Sequence, residues 1–290
     1  MIYSIENNKL KIAVNTMGAE LYSIKNKTDD FEYLWQGNSK YWSGRAYNLF
    51  PVCGRMTNGK YIYKGKTYNI SLHGFARNSE FVCIEKNDTN ICFELKASAK
   101  TKKSYPFDFC FRVRYILSED SLKIVYEVLN TGNNIMPFAL GGHPGFNLPL
   151  EKGKDFKDYS LVFKNPGKKV YRLVFSKNGY LIEEVEYPLK NGCILPLRHS
   201  IFNNDAIFLY NTGNSVTLTA GEKNITVDYP DMKYIGFWHT PKTDAPYICI
   251  EPWNGSPSYE GKIDDIEKKR DIILIESGKL YTSGFTVTFN

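Results

Sequence analysis

The sequence predicts an all-β protein, a large antiparallel sandwich or barrel with little helix, and three observations carry that expectation. Apolar residues recur with period two along most of the chain. The alternating runs are short and are separated by Gly, Asn and Asp turns. Helical periodicity is nearly absent.

The elements follow in chain order. YIYKGKTYNI (61–70) reads as two strands turning at Gly65, and FVCIEKNDTNICFEL (81–95) as two strands turning at Asn87 to Asn90. Phe107, Phe109, Phe111, Val113 and Tyr115 share one face of a strand. After the turn SEDS, Leu122, Ile124, Tyr126 and Val128 repeat the pattern, which makes a third hairpin. AIFLYNTGNSVTLTA (206–220) reads as a fourth, turning around Gly213, and GFTVTF (284–289) is another alternating strand. KIDDIEKKR (262–270) is the best helical candidate; short and highly charged, it is expected as a surface turn or a brief helix. With no Pro/Ser-rich linker, composition shift or strict repeat, residues 1–290 are expected to form a single domain. Two packed sheets would bury the alternate faces and protect most of the strand edges.

Composition narrows the function classes. The net charge of +6 is dispersed, and the clusters Lys100, Lys102, Lys103 and Lys268, Lys269, Arg270 read as solvated surface. Neither makes the sustained basic stripe of a nucleic-acid binder. No signal peptide and no apolar run of membrane-spanning length is evident, so a cytoplasmic protein is expected, with no membrane partner. Of the six cysteines none forms a C-x-x-C pair, and most lie within apolar strands, as in VCI, ICF, FCF and ICI. They read as buried thiols, and their spacing suits no common zinc site. The aromatic share of 15% is high, which favours strands and also suits a pocket for a ring-shaped ligand.

Four segments break the alternation. They are LFPVCGRMTNGKY with Arg55, SLHGFARNSEF with His73 and Arg77, FALGGHPGFNLPL with His143, and ICIEPWNGSPSY with Glu251 and Trp253. Each sets a charged or titratable residue beside Gly, Pro or an aromatic, where the backbone is tightly specified. Imidazole titrates near neutrality and can give or take a proton at working pH. Glu251, between Ile250 and Pro252-Trp253, is expected to be desolvated, which raises a carboxyl pKa toward that of a useful base. Read alone, His143 and His73 fit structural histidines equally well, and Arg55 fits an ordinary surface arginine. His199 and His239 read as structural or surface residues, and no histidine spacing indicates a metal site.

Taken in order, GAELYSI (18–24), YLWQGNSKYW (33–42), LFPVCGR (49–55), LHGFAR (72–77), SYPFDF (104–109), GGHPGFNLPL (141–150) and ICIEPW (248–253) resemble the aldose 1-epimerase (mutarotase) family, in its bacterial LacX-like branch. The resemblance spans nearly the whole chain. It implies a galactose-mutarotase-type β-sandwich that needs no cofactor and interconverts the anomers of a free sugar. It implies His143 as general acid, Glu251 as general base, His73 as a second active-site histidine and Arg55 as a site arginine. Phe146, Phe75 or Trp253 would offer an apolar face to the sugar. Asp205 in FNNDAIFLY is a loose counterpart of a sugar-binding aspartate, so galactose is not singled out as substrate.

Two rivals accompany that reading. A hexose-6-phosphate epimerase would need cations at the pocket mouth, for which Arg45 and Arg77 are candidates. A non-catalytic sugar-binding sandwich would keep the pocket without turnover. A glycoside hydrolase ordinarily needs two carboxylates flanking the bond, and only Glu251 stands in a site-like segment. The expected partner is a small carbohydrate, bound by a monomer or homodimer.

Overall fold

The computed structural model describes residues 1–290. Two large sheets dominate, and all their pairings are antiparallel. One has nine strands, in the spatial order Ile194–Pro196, Ser160–Phe163, Ser215–Thr219, Asn224–Asp228, Leu280–Phe289, Ser121–Asn130, Phe109–Ser118, Asn90–Lys96 and Val82–Lys86. The other has seven: Leu181–Glu186, Tyr171–Phe175, Ile207–Tyr210, Tyr234–Trp238, Tyr247–Asn254, Leu140–Asn147 and Ala46–Leu49. A three-stranded sheet (Ile2–Glu6, Leu10–Asn15, Glu20–Asn26), one small hairpin and one pair between the distant segments Met136–Phe138 and Ile273–Ile275 complete the architecture. The fold is a β-sandwich built from the two large antiparallel sheets. The α-helix Ala99–Lys102 and the 3₁₀ helix His199–Phe202 are the longest, at four residues each, and no helix is long and apolar enough to cross a membrane.

The core lies between the two large sheets. Phe50 stacks on Phe111, Phe163 meets Phe237 edge-on, and the amide of Asn48 joins the Tyr115 and Tyr126 hydroxyls across the interface. Sixty-three buried residues form one continuous cluster. Edge strands carry charge on otherwise open ladders: Glu85 and Lys86 on one sheet, Glu183, Glu184 and Glu186 on the other, which discourages pairing with another chain.

Three of the four predicted hairpins form as read. Lys60–Tyr63 pairs with Lys66–Asn69 around Lys64 and Gly65, both at positive φ, as the tight twisted turn requires. Val82–Lys86 pairs with Asn90–Lys96, and Phe109–Ser118 with Ser121–Asn130. The fourth does not form. Ile207–Tyr210 belongs to the seven-stranded sheet and Ser215–Thr219 to the nine-stranded one. The Asn211–Gly213 turn therefore carries the chain from one layer to the other. A Cβ at Gly213 would lie 2.2 Å from the Lys164 carbonyl oxygen, so this corner is packed too tightly for a side chain.

The 262–270 segment is a 3₁₀ turn, Ile266–Lys268, capped by the Asp265 carboxylate. It is less exposed than its charge suggests. Lys269 is buried, and its ammonium donates to the Ser256 and Pro257 carbonyls. Arg270 is half-buried and donates to Glu184, Tyr234 and Tyr259. These two residues are internal ties for neighbouring loops and strands rather than solvated charges.

Candidate active site

The seven-stranded sheet sets the site by register. Gly141 pairs with Trp253 and Gly145 with Cys249, which places His143 opposite Glu251 on neighbouring strands. On their outer flanks Tyr47 pairs with His143 and Gly236 with Glu251, while Phe208 pairs with Gly236. Tyr47, His143, Glu251, Gly236 and Phe208 therefore form one row across five strands, with their side chains on one face. That face, turned away from the inter-sheet core, forms the floor of a cavity of about 310 Å³. Gly236 leaves the space that Phe208 fills, since a Cβ there would come within 2.6 Å of the Phe208 ring.

The glycines beside His143 are required by packing on both faces. A Cβ on Gly141 would sit 2.6 Å from the Trp253 indole, and one on Gly142 would sit 2.7 Å from the Phe285 ring of the opposite sheet. Trp253 is pinned in turn by its Nε1–H, which donates to the Gly142 carbonyl at 3.2 Å. Trp42 lies across the His143 ring at 5.0 Å and Trp238 meets it edge-on at 5.8 Å, so the imidazole is walled in by indoles.

His143 Nε2 and Glu251 Oε1 are 3.3 Å apart. Both residues are buried, at 8% and 3% exposure, and neither His143 Nδ1 nor Glu251 Oε1 makes an aligned hydrogen bond within the protein. Burial drives each toward its uncharged form. Desolvation pushes the Glu251 carboxyl well above the ordinary range, and the negative charge of Asp205 adds to the effect. Desolvation lowers the His143 imidazole to about 3, with Arg77 contributing. The pair therefore holds one proton between its two members across a wide span of pH.

His73 enters from the segment preceding a 3₁₀ turn, Ala76–Asn78, with φ 61°, an uncommon conformation for a residue with a side chain. The backbone holds it there by two bonds. Its N–H donates to the Gly54 carbonyl at 3.0 Å, and the Gly54 N–H donates to His73 Nδ1 at 3.1 Å. A ring nitrogen that accepts carries no proton, so the neutral ring bears its hydrogen on Nε2. Burial, then the neighbouring His143, Arg77 and Arg55, keep the His73 pKa well below that of a free histidine. The ring meets those of His143 and Trp253 edge-on, at 5.6 and 5.2 Å.

Arg55, Arg77 and Asp205 complete the polar lining. Arg55 is exposed at the mouth, its stem resting on Gly179, where a Cβ would lie 2.9 Å from Nε. Arg77 lies over the Tyr47 ring at 5.0 Å, with Nε buried and unpartnered. Asp205, at φ 80°, caps its own loop through Oδ1 and the Ala206 N–H.

The structure thus brings His143, Glu251, His73, Arg55, Trp253 and Asp205 to one cavity. It does not bring Phe146. Three positions beyond His143 on a strand, Phe146 points to the opposite face and is wholly buried in the core. Phe75 likewise packs with Phe50 and Phe109. Arg45 lies on the Tyr22 ring at 3.7 Å and is absent from the cavity lining, so of the two phosphate candidates only Arg77 reaches it. Trp42, Tyr47, Phe208 and Trp238 line the cavity without having been singled out in the sequence. Tyr47, Phe208 and Trp238 reach it through the pairing of distant strands and Trp42 from a loop, so no local signal in the sequence marked them. His199 and His239 pair with each other at 3.1 Å beneath Phe156, outside the cavity.

A model of the family described as aldose 1-epimerase matches residues 1–172, a span that includes Arg55, His73, Arg77 and His143. The chromosomal protein LacX of Lactococcus lactis subsp. lactis is 36% identical over 265 residues, covering 88% of each chain. Among solved structures, a galactose mutarotase related enzyme from Lactobacillus acidophilus superposes with a TM-score of 0.94 at 35% identity, covering 100% of this chain and 97% of its own. A galactose mutarotase-like protein from Lactobacillus casei ATCC 334 gives 0.95 at 32% identity, with 100% of both chains covered. Both alignments take in the Glu251 strand, which lies beyond the span of the family model.

Proposed function

The chain belongs to the aldose 1-epimerase family, and from that membership we propose that it interconverts the α and β anomers of a free aldose by opening and reclosing the sugar ring. The observation that carries the reading is the buried, mutually facing pair of His143 and Glu251 at the floor of a cavity of about 310 Å³. Ring opening removes a proton from the anomeric hydroxyl and delivers one to the ring oxygen. Glu251 as carboxylate takes the first, and His143 as imidazolium gives the second. Rotation about the bond between the first two carbons turns the other carbonyl face inward, and the reverse transfers close the ring.

The charge state of the pair fits this task. The resting form, neutral carboxyl beside neutral imidazole, and the reactive form, carboxylate beside imidazolium, hold the same number of protons. Passing between them is an internal transfer over a 3.3 Å contact rather than exchange with solvent. The His73 Nε2–H supplies a fixed donor to a sugar oxygen, Arg55 and Asp205 supply polar contacts at the mouth, and Trp253 supplies an apolar wall. NMR anomer exchange across a panel of aldoses tests the reading. Acceleration for at least one sugar is expected; binding without acceleration for any of them would leave a sugar-binding protein instead.

One observation favours a phosphorylated aldose as the second reading. Beyond Gly179 the cavity opens onto a polar shelf lined by Arg55, Asn58, Lys177, Asn178, Tyr180 and Asp205, with two cations against one carboxylate. Rates for matched free and 6-phosphorylated sugars separate the two. A Lys177→Ala variant, altered on the shelf alone, should slow only the phosphorylated substrate if the shelf holds its phosphate.

A further inference from the structure

A third side chain, buried beside the floor of the cavity, completes a metal-type donor set. Cys249 lies two residues before Glu251 on the same strand and so on the same face, diagonally across from His143. A ring nitrogen of His143, Cys249 Sγ and a Glu251 carboxylate oxygen all lie within 4.8 Å of one another, and all three residues are buried.

We propose that His143, Cys249 and Glu251 form a binding site for a thiophilic divalent cation of the zinc class, and that its occupancy blocks the acid–base pair. Three arguments support the site. Zinc bonds of about 2.0–2.3 Å in a tetrahedron set ligand atoms about 3.3–3.6 Å apart, and the His143–Glu251 contact already has that length at 3.3 Å. Bringing in Cys249 takes a side-chain adjustment of roughly 1 Å. Next, Glu251 Oε1 is nearly inaccessible and has no hydrogen-bond partner, so a buried acceptor faces the position the ion would take. Finally, thiolate, carboxylate and neutral imidazole exactly offset a doubly charged cation, and a neutral assembly is the one that burial penalises least. On binding, the thiol proton, and the carboxyl proton if present, pass to solvent as the sulfur–metal and oxygen–metal bonds form. Nitrogen, sulfur and oxygen together select zinc, cadmium or cobalt over magnesium or calcium. His143 and Glu251 line the cavity, and that side offers the ion its way in.

The inhibitory half of the proposal rests on the epimerase reading; the binding half does not. Cobalt(II) titration of the wild-type protein should give, at one equivalent, the visible bands of a tetrahedral ion and a near-ultraviolet thiolate charge-transfer band. Zinc should abolish both. Cys249→Ser and Cys249→Ala should lose the charge-transfer band and keep the native circular dichroism spectrum and anomer exchange. Their half-inhibitory zinc concentration should rise roughly 10- to 100-fold. A Cys83→Ser/Cys193→Ser variant, lacking the two half-buried thiols, should keep both bands. Absence of tetrahedral bands in the wild type, or a charge-transfer band that survives both Cys249 variants, overturns the site. Normal bands with anomer exchange undiminished by zinc overturn its inhibitory role. Bands in a protein that accelerates no sugar would leave the site standing and the epimerase reading fallen.

Discussion

His143 and Glu251 occupy opposed positions on neighbouring antiparallel strands, and their Nε2 and Oε1 atoms come within 3.3 Å on the cavity face. On the proposed mechanism the two side chains act as a unit. His143→Asn and Glu251→Gln should each slow anomer exchange by roughly 10²–10⁴ while the fold is retained. The double variant should be little slower than the worse single one, because either loss already breaks the transfer. Polarimetry with circular dichroism checks both parts.

The rate should be flat with pH over a broad range. As pH falls toward about 3, His143 takes up a proton while Glu251 remains protonated, and the base is lost. As pH rises through the elevated Glu251 pKa, the pair loses its one proton, and the acid is lost. An acid limb near pH 6.5, the ordinary histidine value, in the free-enzyme kcat/KM profile would contradict the buried one-proton pair.

Stability carries the mark of the same carboxyl. Its folded pKa is raised, so above the unfolded value near 4.5 the native state keeps a proton that the unfolded chain releases. Rising pH therefore favours unfolding until Glu251 ionises in the fold. Glu251→Gln removes this effect and should stabilise the protein at pH 7 by roughly 1–3 kcal/mol, with the gain shrinking toward pH 4. Urea titrations at the two pH values provide the comparison.

His73 offers a separation of fold from chemistry. Asparagine tolerates positive φ, and its amide oxygen can accept the Gly54 N–H, but it presents no Nε2–H. His73→Asn should keep stability within about 1 kcal/mol and lower kcat/KM about 10-fold or more, the value of one lost hydrogen bond. His73→Val, β-branched at φ 61°, should unfold more easily by roughly 1–3 kcal/mol.

Gly142→Ala tests the packing behind the His143 strand. Its methyl would meet Phe285 at 2.7 Å and the Tyr126 hydroxyl at 3.0 Å. A loss of roughly 1–3 kcal/mol is expected in denaturant melts, from overpacking between the two sheets.

Strand periodicity made the β class and three hairpins legible, because each paired strand also followed its partner in sequence. It misjudged Ile207–Tyr210 and Ser215–Thr219 because the turn at Gly213 has hairpin chemistry and a different use, moving the chain between layers. The six residues brought to the cavity were legible from local oddity, Gly and Pro beside titratable groups, and from the family resemblance. Phe146 was misplaced against evidence already in the sequence: it differs from His143 by an odd number of strand positions. The burial of Lys269 was not legible, since the carbonyls that hold it come from a loop twelve and thirteen residues earlier. Cys249 was legible as a buried strand thiol, whereas its closeness to His143 depends on the pairing of distant strands.

The strand Leu280–Phe289 lies between Asn224–Asp228 and Ser121–Asn130 in the nine-stranded sheet. On the ribosome its two partners are made first and wait for it. With elongation at about 5–20 residues per second, the stretch separating Asp228 from Leu280 keeps that sheet in two halves for roughly 3–10 s. During that interval both halves offer open, apolar ladders to any neighbouring chain. The length of that exposure is set by how late the joining strand emerges, and no gain in stability of the finished fold would shorten it.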